Sequence, residues 1–309
     1  MFGGCHFAPS PDEWTSATVE TIDPFDPAYI QVGTFNIDWL TADLPGEFTP
    51  RNETDLAMIS SLIEAMDIDV LALQEINGVE ALEGLQLPEP WSFEVGSTGW
   101  SQNLALLYRS DRVIVTNVRE VPLPSNNFPS KDPLVADVQA LGGTLAFTLV
   151  VLHLNPYVEW SEARQRAAQV EDVVEWMTGA GGEAPPALPV IVAGDLNDTL
   201  TGLHPDIDAL EPMEDVLSFA TKDTDLWTNI PFQSQIDHVA LDWALEGARD
   251  RAGAELGVTV VPHDRTRPWS NYGGGIDDQS NVSSHRPVYV NLALSGRVDG
   301  ERGSTSPKN

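Results

Sequence analysis

From Tyr29 onward, apolar positions gather into short runs separated by polar, Gly- and Pro-bearing stretches. "YIQVGTFNI" predicts a strand, and "NETDLAMISSLIEAMD" carries its apolar residues at helical spacing with Asn52 or Thr54 as the N-cap. "DVLALQEI" is an almost unbroken apolar run of strand length, the pattern of a strand covered on both faces. "NLALLYRSDRVIVTNVREV" predicts two strands around a Ser-Asp turn. "PLVADVQAL" and "TLAFTLVVLHL" predict a hairpin through Gly142 and Gly143.

The clearest helix is "WSEARQRAAQVEDVVEWMTGAGG", in which Ala163, Ala167, Val170, Val174 and Met177 form one face and glycines end it. Strands follow at "LPVIVAGDLND", "SQIDHVALD", "GVTVVP" and "RPVYVNLAL", with no internal repeat and no second linker. Many strands with few helices predict one α/β domain over residues 30–294, two sheets packed face to face and covered by helices. Residues 1–29, rich in Pro and acids and without a period, read as a flexible leader or tether, and 295–309 as a disordered polar tail.

Charge narrows the partners. The chain has 47 acids against 16 Lys and Arg, a formal net charge of −31, and its only lysines are Lys131, Lys222 and Lys308. Such a surface repels polyanions in dilute buffer. It suits a protein kept hydrated in concentrated salt, or an exported acidic protein. No apolar run reaches the roughly 18 residues of a membrane helix. The single cysteine, Cys5, excludes an intramolecular disulfide. "MFGGCHFAPSPDEW" is similar to the end of a bacterial lipoprotein signal, which predicts an exported protein, secreted or lipid-anchored through Cys5 at the cell surface or periplasm. A free thiol in an unstructured N-terminus is the other reading.

Six stretches place carboxylate, amide or imidazole groups at the end of an apolar strand. They are "TFNIDWL" (Asn36, Asp38), "LALQEI" (Gln74, Glu75), "VLHLN" (His153, Asn155), "VAGDLND" (Asp195, Asn197, Asp198), "QIDHVALD" (Asp237, His238) and "SSHRP" (Ser284, His285). Strands of one sheet can deliver such groups to a single cleft, and oxygen donors without Cys clusters suit Mg²⁺, Mn²⁺ or Ca²⁺ rather than zinc. Taken singly, Glu75 is a loop acid, His153 a core imidazole, Asp195 a turn residue after Gly194, Asp198 a cap, and His238 a structural histidine.

In their order and spacing these motifs resemble the endonuclease/exonuclease/phosphatase superfamily, which includes deoxyribonuclease I, exonuclease III-type repair endonucleases, neutral sphingomyelinases and inositol polyphosphate 5-phosphatases. The resemblance covers about residues 30–294. It implies a four-layer α/β/β/α sandwich of two mostly antiparallel sheets, with the active site at one edge. It further implies metal-dependent phosphodiester hydrolysis, with Glu75 as principal Mg²⁺ ligand helped by Asn36 and Asp38 (Mn²⁺ or Ca²⁺ substituting). Asp195 would position water, Asn197 would donate to the phosphate, and His285 would act as acid–base group oriented by Asp237. His153 resembles the second histidine of the deoxyribonuclease and sphingomyelinase branches. Asn155 would face the phosphate beside it, Asn103 or Gln102 would orient it, and Arg164 would reach a phosphate.

One departure stands out. Many members carry Asp directly before the last histidine, where this chain has Ser284. Losing that charge predicts a single catalytic ion of modest affinity. For substrate, Arg265, Arg267, Trp269 and Tyr272 precede His285 in a pattern that fits a loop gripping backbone phosphates and stacking bases. The expectation is a monomeric DNA endonuclease of low sequence specificity that tolerates high salt. The alternative is a sphingomyelinase-like or small-molecule phosphodiesterase.

Overall fold

The computed structural model describes residues 29–41, 52–124, 126–182, 184–224, 226–252, 258–261 and 282–294. The expected leader with Cys5, the tail, and the loop bearing Arg265, Arg267, Trp269 and Tyr272 lie outside the described residues.

Among the described residues the strands form two six-stranded sheets. The first runs, in spatial order, β11 (Val258–Val260), β12 (Val288–Ala293), β1 (Tyr29–Leu40), β2 (Val70–Ile76), β4 (Asn103–Arg109) and β3 (Trp91–Val95). The second runs β5 (Val113–Glu120), β6 (Leu134–Ala140), β7 (Ala146–His153), β8 (Val190–Asp195), β10 (Asp237–Asp242) and β9 (Leu217–Phe219). Each sheet has one parallel pair, β1 with β2 and β7 with β8, and is otherwise antiparallel.

Three apolar cores show the layering. Ile30, Val32, Val70, Ala72, Leu104 and Leu106 of the first sheet meet Leu149, Val151, Ile191, Ala193, Val239 and Leu241 of the second. Phe35, Leu71, Leu73 and Leu107 pack outward on Ile59 and Ile63 of α1 (Glu53–Met66) and Leu82 of α2 (Val79–Glu83). Val150, Leu152, Val190 and Val192 pack outward on Val170 and Val173 of α3 (Trp160–Thr178) and Met213 of α4 (Glu211–Glu214). Helix α5 (Trp243–Ala252) adds Leu245 and Ala248 to the layer between the sheets. The four-layer sandwich is thus the observed fold, and the unbroken apolar runs of β2 and β8 follow from it: alternate residues face the other sheet and the helices.

Two local expectations are sharpened. Asn52 caps α1, accepting from the Thr54 and Asp55 amides while Asp55 accepts from the Asn52 amide. The Ser-Asp turn after β4 joins no hairpin: it carries the chain from one sheet to the other. One expectation is corrected. On α3, Ala167 and Val174 are only half-buried, whereas Arg166 and Gln169 are buried with Ala163, Val170, Val173, Trp176 and Met177. The face is rotated because Arg166 reaches fully buried Asp198, with Nε 3.0 Å from Oδ2. An ion pair can occupy a core position that a hydrophobicity pattern leaves to apolar groups.

Candidate active site

Alternation along the strands places the polar cluster. On β7 the residues facing the other sheet are Leu149 and Val151, so His153 comes next on that side. The same step takes Ile191 and Ala193 to Asp195 on β8, and Leu241 and Val239 back to Asp237 on β10. Ile30 and Val32 lead through Thr34 to Asn36 on β1. The expected catalytic groups are therefore the last rung of the inter-sheet core, where it turns from apolar to polar. Strand pairing puts these rungs at one edge, with Asp195 opposite both His153 and Asp237 and Asn36 opposite Gln74.

Glu75 breaks the alternation. Parity would set it with Leu71 and Leu73 against the helices, but its φ is 65° and the register between β2 and β4 shifts between Leu73 and Ile76. This bulge lets Glu75 Oε1 accept from Asn36 Nδ2 at 3.2 Å. Asp38 (φ 57°) and Asn197 (φ 51°) are also left-handed. Such conformations cost about 1–3 kcal/mol each in non-glycine residues and concentrate at functional sites. Gly194 has a different duty. A Cβ there would collide with the Leu152 carbonyl oxygen, so glycine lets β8 run close to β7 and bring Asp195 beside His153.

The side chains converge on Asp195. Asn36 Nδ2 donates to its Oδ2 at 3.0 Å and the Asn197 amide to its Oδ1 at 3.0 Å. His153 Nε2 and His285 Nε2 stand 3.8 and 3.9 Å from the same Oδ2. His285 Nδ1 faces Asp237 at 2.9 Å, and its backbone amide donates to Ser283 Oγ, which donates to the Asn36 carbonyl at 2.6 Å. Burial and then the Asp237 charge push Asp195 up to about 7. Burial disfavours charge on His285, yet the carboxylates of Asp237 and Asp195 outweigh it and push the ring up to about 10. Burial, followed by the charges of Lys131 and His285, holds His153 well below the usual histidine value. The site therefore sets one ring whose charged form is favoured and one whose neutral form is favoured on either side of Asp195.

The oxygen set suits a divalent cation. Burial, then the Asp38 charge, raises Glu75 above its ordinary value. Its Oε2 is buried with no hydrogen-bond partner among the described residues. A buried acceptor left open in this way is what a cation would satisfy. Asp38 is buried nearby, its amide donating to Asn36 Oδ1 at 2.9 Å. Asp195, Asp237 and His285 also bring ligand atoms within 4.8 Å of one another. Both Asp237 oxygens lie within 3.1 Å of His285 Nδ1, however, so in that trio the Asp237 carboxylate is occupied by the ring.

Other expected residues have different duties. Asn103 does not orient His153: it closes its own loop, accepting from the Gly99 amide and donating to the Trp100 carbonyl. Asn155, expected to face a phosphate, instead bonds Glu162, with Nδ2 2.5 Å from Oε2, because β7 ends at His153 and strand alternation no longer aims it. Arg164 is exposed with its guanidinium over the Trp160 ring. Asn197 Nδ2 donates to the Leu154 carbonyl at 3.0 Å. Asp198 and His238 are structural. Asp198 accepts from the Thr199 amide and Arg166, and His238 lies between Thr221 Oγ1 and the Asp198 carbonyl. Ser284 is buried, its carbonyl accepting from the Ile230 amide.

Two participants were missed from sequence. Lys131 Nζ lies 3.5 Å from His153 Nδ1 and, being donor-only, turns that nitrogen into the acceptor and leaves Nε2 to carry the proton. Its signal was rarity, one lysine of three in an acidic chain. Asn229 Nδ2 stands 3.4 Å from His285 Nε2, and no sequence pattern marked it.

The sequence model of the Endonuclease/Exonuclease/phosphatase family matches residues 33–269. The chain belongs to this family. Its members hydrolyse phosphoester bonds with a divalent metal, and the protein is an enzyme of that class. Solved structures share the fold. Truncated Caenorhabditis elegans TDP2 aligns with a TM-score of 0.59 at 16% identity, covering 86% of this chain and 98% of its own. The human Nocturnin catalytic domain, with bound sulfate, gives 0.58 at 16%, covering 87% and 94%. A Bacteroides thetaiotaomicron mannosyl-6-phosphatase gives 0.53 at 16%, covering 84% and 98%. No curated protein matches the sequence.

Proposed function

We propose that this enzyme is a Mg²⁺-dependent phosphodiesterase that cleaves nucleic acid, DNA foremost, with little sequence specificity and in salt-rich surroundings. The observation that carries the reading is the pair of ring nitrogens, His153 Nε2 and His285 Nε2, at 3.8 and 3.9 Å on Asp195 Oδ2. A phosphoryl group seated at this carboxylate meets an N–H from each ring, while Asp195 orients a water for in-line attack. Glu75 would hold the cation, with Asp38 and Asn36 beside it. When bound, the cation neutralises charge on a non-bridging oxygen and on the leaving group. A diester, with one negative charge, suits a cluster of four carboxylates better than a doubly charged monoester does.

A second reading, hydrolysis of a small phosphoester, has one observation in its favour. Among the described residues Arg109, Arg112, Arg166, Lys222 and Arg249 already face carboxylates, so they form no open basic track. Incubation with plasmid, RNA, sphingomyelin and bis(4-nitrophenyl) phosphate, with Mg²⁺, Mn²⁺, Ca²⁺ or chelator, separates the two. We expect plasmid nicking that needs the cation, disappears in His285→Ala and Glu75→Ala, and persists as NaCl rises. Nucleic acids left intact would overturn the nuclease reading, and activity indifferent to chelator would overturn the mechanism.

A further inference from the structure

Three large aromatic side chains stand in solvent on loops at the active edge: Trp100 is 85%, Phe232 81% and Tyr157 70% exposed. Each loop is pinned, and each leads back to a catalytic histidine. The Trp100 carbonyl accepts from Asn103 Nδ2, and the same loop supplies the Thr98 carbonyl that accepts from the Lys131 amide; Lys131 in turn touches His153. Tyr157 lies four residues beyond His153, and its carbonyl accepts from buried Arg166 at 2.9 Å. The Phe232 amide donates to Asn229 Oδ1, and Asn229 lies against His285.

Two of these residues carry backbone strain as well. Trp100 has φ 59° and Tyr157 φ 75°, a region that bulky L-residues avoid. Strained backbones that hold apolar rings in water lower stability twice over, and such features gather at ligand clamps. A ring on a pinned loop also loses little freedom when it stacks.

Resting on the nuclease reading, we infer that Trp100, Tyr157 and Phe232 form a stacking rim that takes unpaired bases on either side of the scissile phosphodiester, so that the preferred substrate is single-stranded. Aromatic faces accept any base, in keeping with low sequence specificity. They also do what charge does not do here. With −31 on the chain, and with Arg109, Arg112 and Arg166 engaged by its own carboxylates, the grip on a strand comes from stacking, which salt does not screen. Duplex DNA hides its base faces and gains nothing from the rim.

The test compares kcat and KM of the full chain on a labelled deoxyoligonucleotide, single-stranded and as a duplex, at molar NaCl with Mg²⁺. The single strand should be cleaved at least about tenfold more efficiently, and Trp100→Ala, Tyr157→Ala and Phe232→Ala should each raise KM about tenfold. Trp100→Phe should recover most of the loss. Trp243→Ala removes an exposed ring just past the far end of β10 and should leave KM unchanged. The rim is overturned if the alanine variants cleave as the parent does, or if duplex is preferred. It is also overturned if protein tryptophan emission shifts on phosphatidylcholine vesicles and not on the oligonucleotide, which would assign the rings to a membrane. Turnover of bis(4-nitrophenyl) phosphate alone, lost in Glu75→Ala, overturns the nuclease reading and this inference with it.

Discussion

His285 shows what one residue owes to its neighbours. Its ring is held by Asp237 at Nδ1, faces Asp195 through Nε2, and is seated by Ser283 on its amide. Replacing Asp237 with Asn keeps the shape and removes the first of the charges that raise the ring. Asp237→Asn should lower activity by about 10²–10⁴-fold and bring the ring back toward 6.5. Ring NMR titration of the metal-free protein checks the second point. The sign for stability follows from the shift: with the folded value raised to about 10, the contribution is full below 6.5 and is lost as pH rises through 10. The variant should flatten that decline. His285, Asp237, Asp195, Glu75 and His153 stood out through the order and spacing of their motifs, which resemble the family's, since each taken singly has an ordinary structural reading. Asn103 and Asn155 were misread because an amide's partner depends on the turn it sits in, and sequence position does not reveal that turn.

Among elements, the β7–β8 pair bears most directly on the chemistry, since it sets His153 opposite Asp195. Gly194→Ala forces a methyl onto the Leu152 carbonyl, and the strands must part. Overpacking of this kind costs typically about 1–3 kcal/mol, and here it also moves Asp195. Urea unfolding should show the loss, and kcat should fall with it. A variant as stable and active as the parent would refute the close-approach argument. Strand existence was readable from the apolar runs, as β1, β7, β8 and β10 show. The bulge at Glu75 was not, because it arises where β2 meets β4, and the rotation of α3 was not, because Asp198 lies on a distant loop.

At the scale of the molecule, the charge and the carboxylate cluster act together. Burial raises both Glu75 and Asp195, so the folded protein binds protons more tightly than the unfolded chain. Their contribution to stability is present below the ordinary carboxylate range, near 4, and for Asp195 is lost as pH rises through about 7. A cation at Glu75 competes with those protons and relieves the repulsion. The rise in Tm on adding Mg²⁺ should therefore be larger at pH 8 than at pH 5, and Glu75→Gln should shrink it. A shift independent of pH would remove the cation from this cluster. Screening is a separate effect: NaCl should raise Tm even with chelator present, since the Debye length falls to about 3 Å at molar salt.

Sequence by itself determined the long strands, the helices α1 and α3, and which residue types could perform phosphoryl chemistry, because apolar runs, capping and donor chemistry are local properties; the short β3, β9, α2, α4 and α5 carried no such pattern. Tertiary structure alone decided that Asn36, Glu75, His153, Asp195, Asp237 and His285 meet at one point, that Lys131 and Asn229 join them, and that Arg166 is core. Those outcomes rest on strands paired across great separations, as Gln31 with Asn291, 260 positions apart, and on one left-handed residue at a bulge. Neither is written in the spacing of apolar residues.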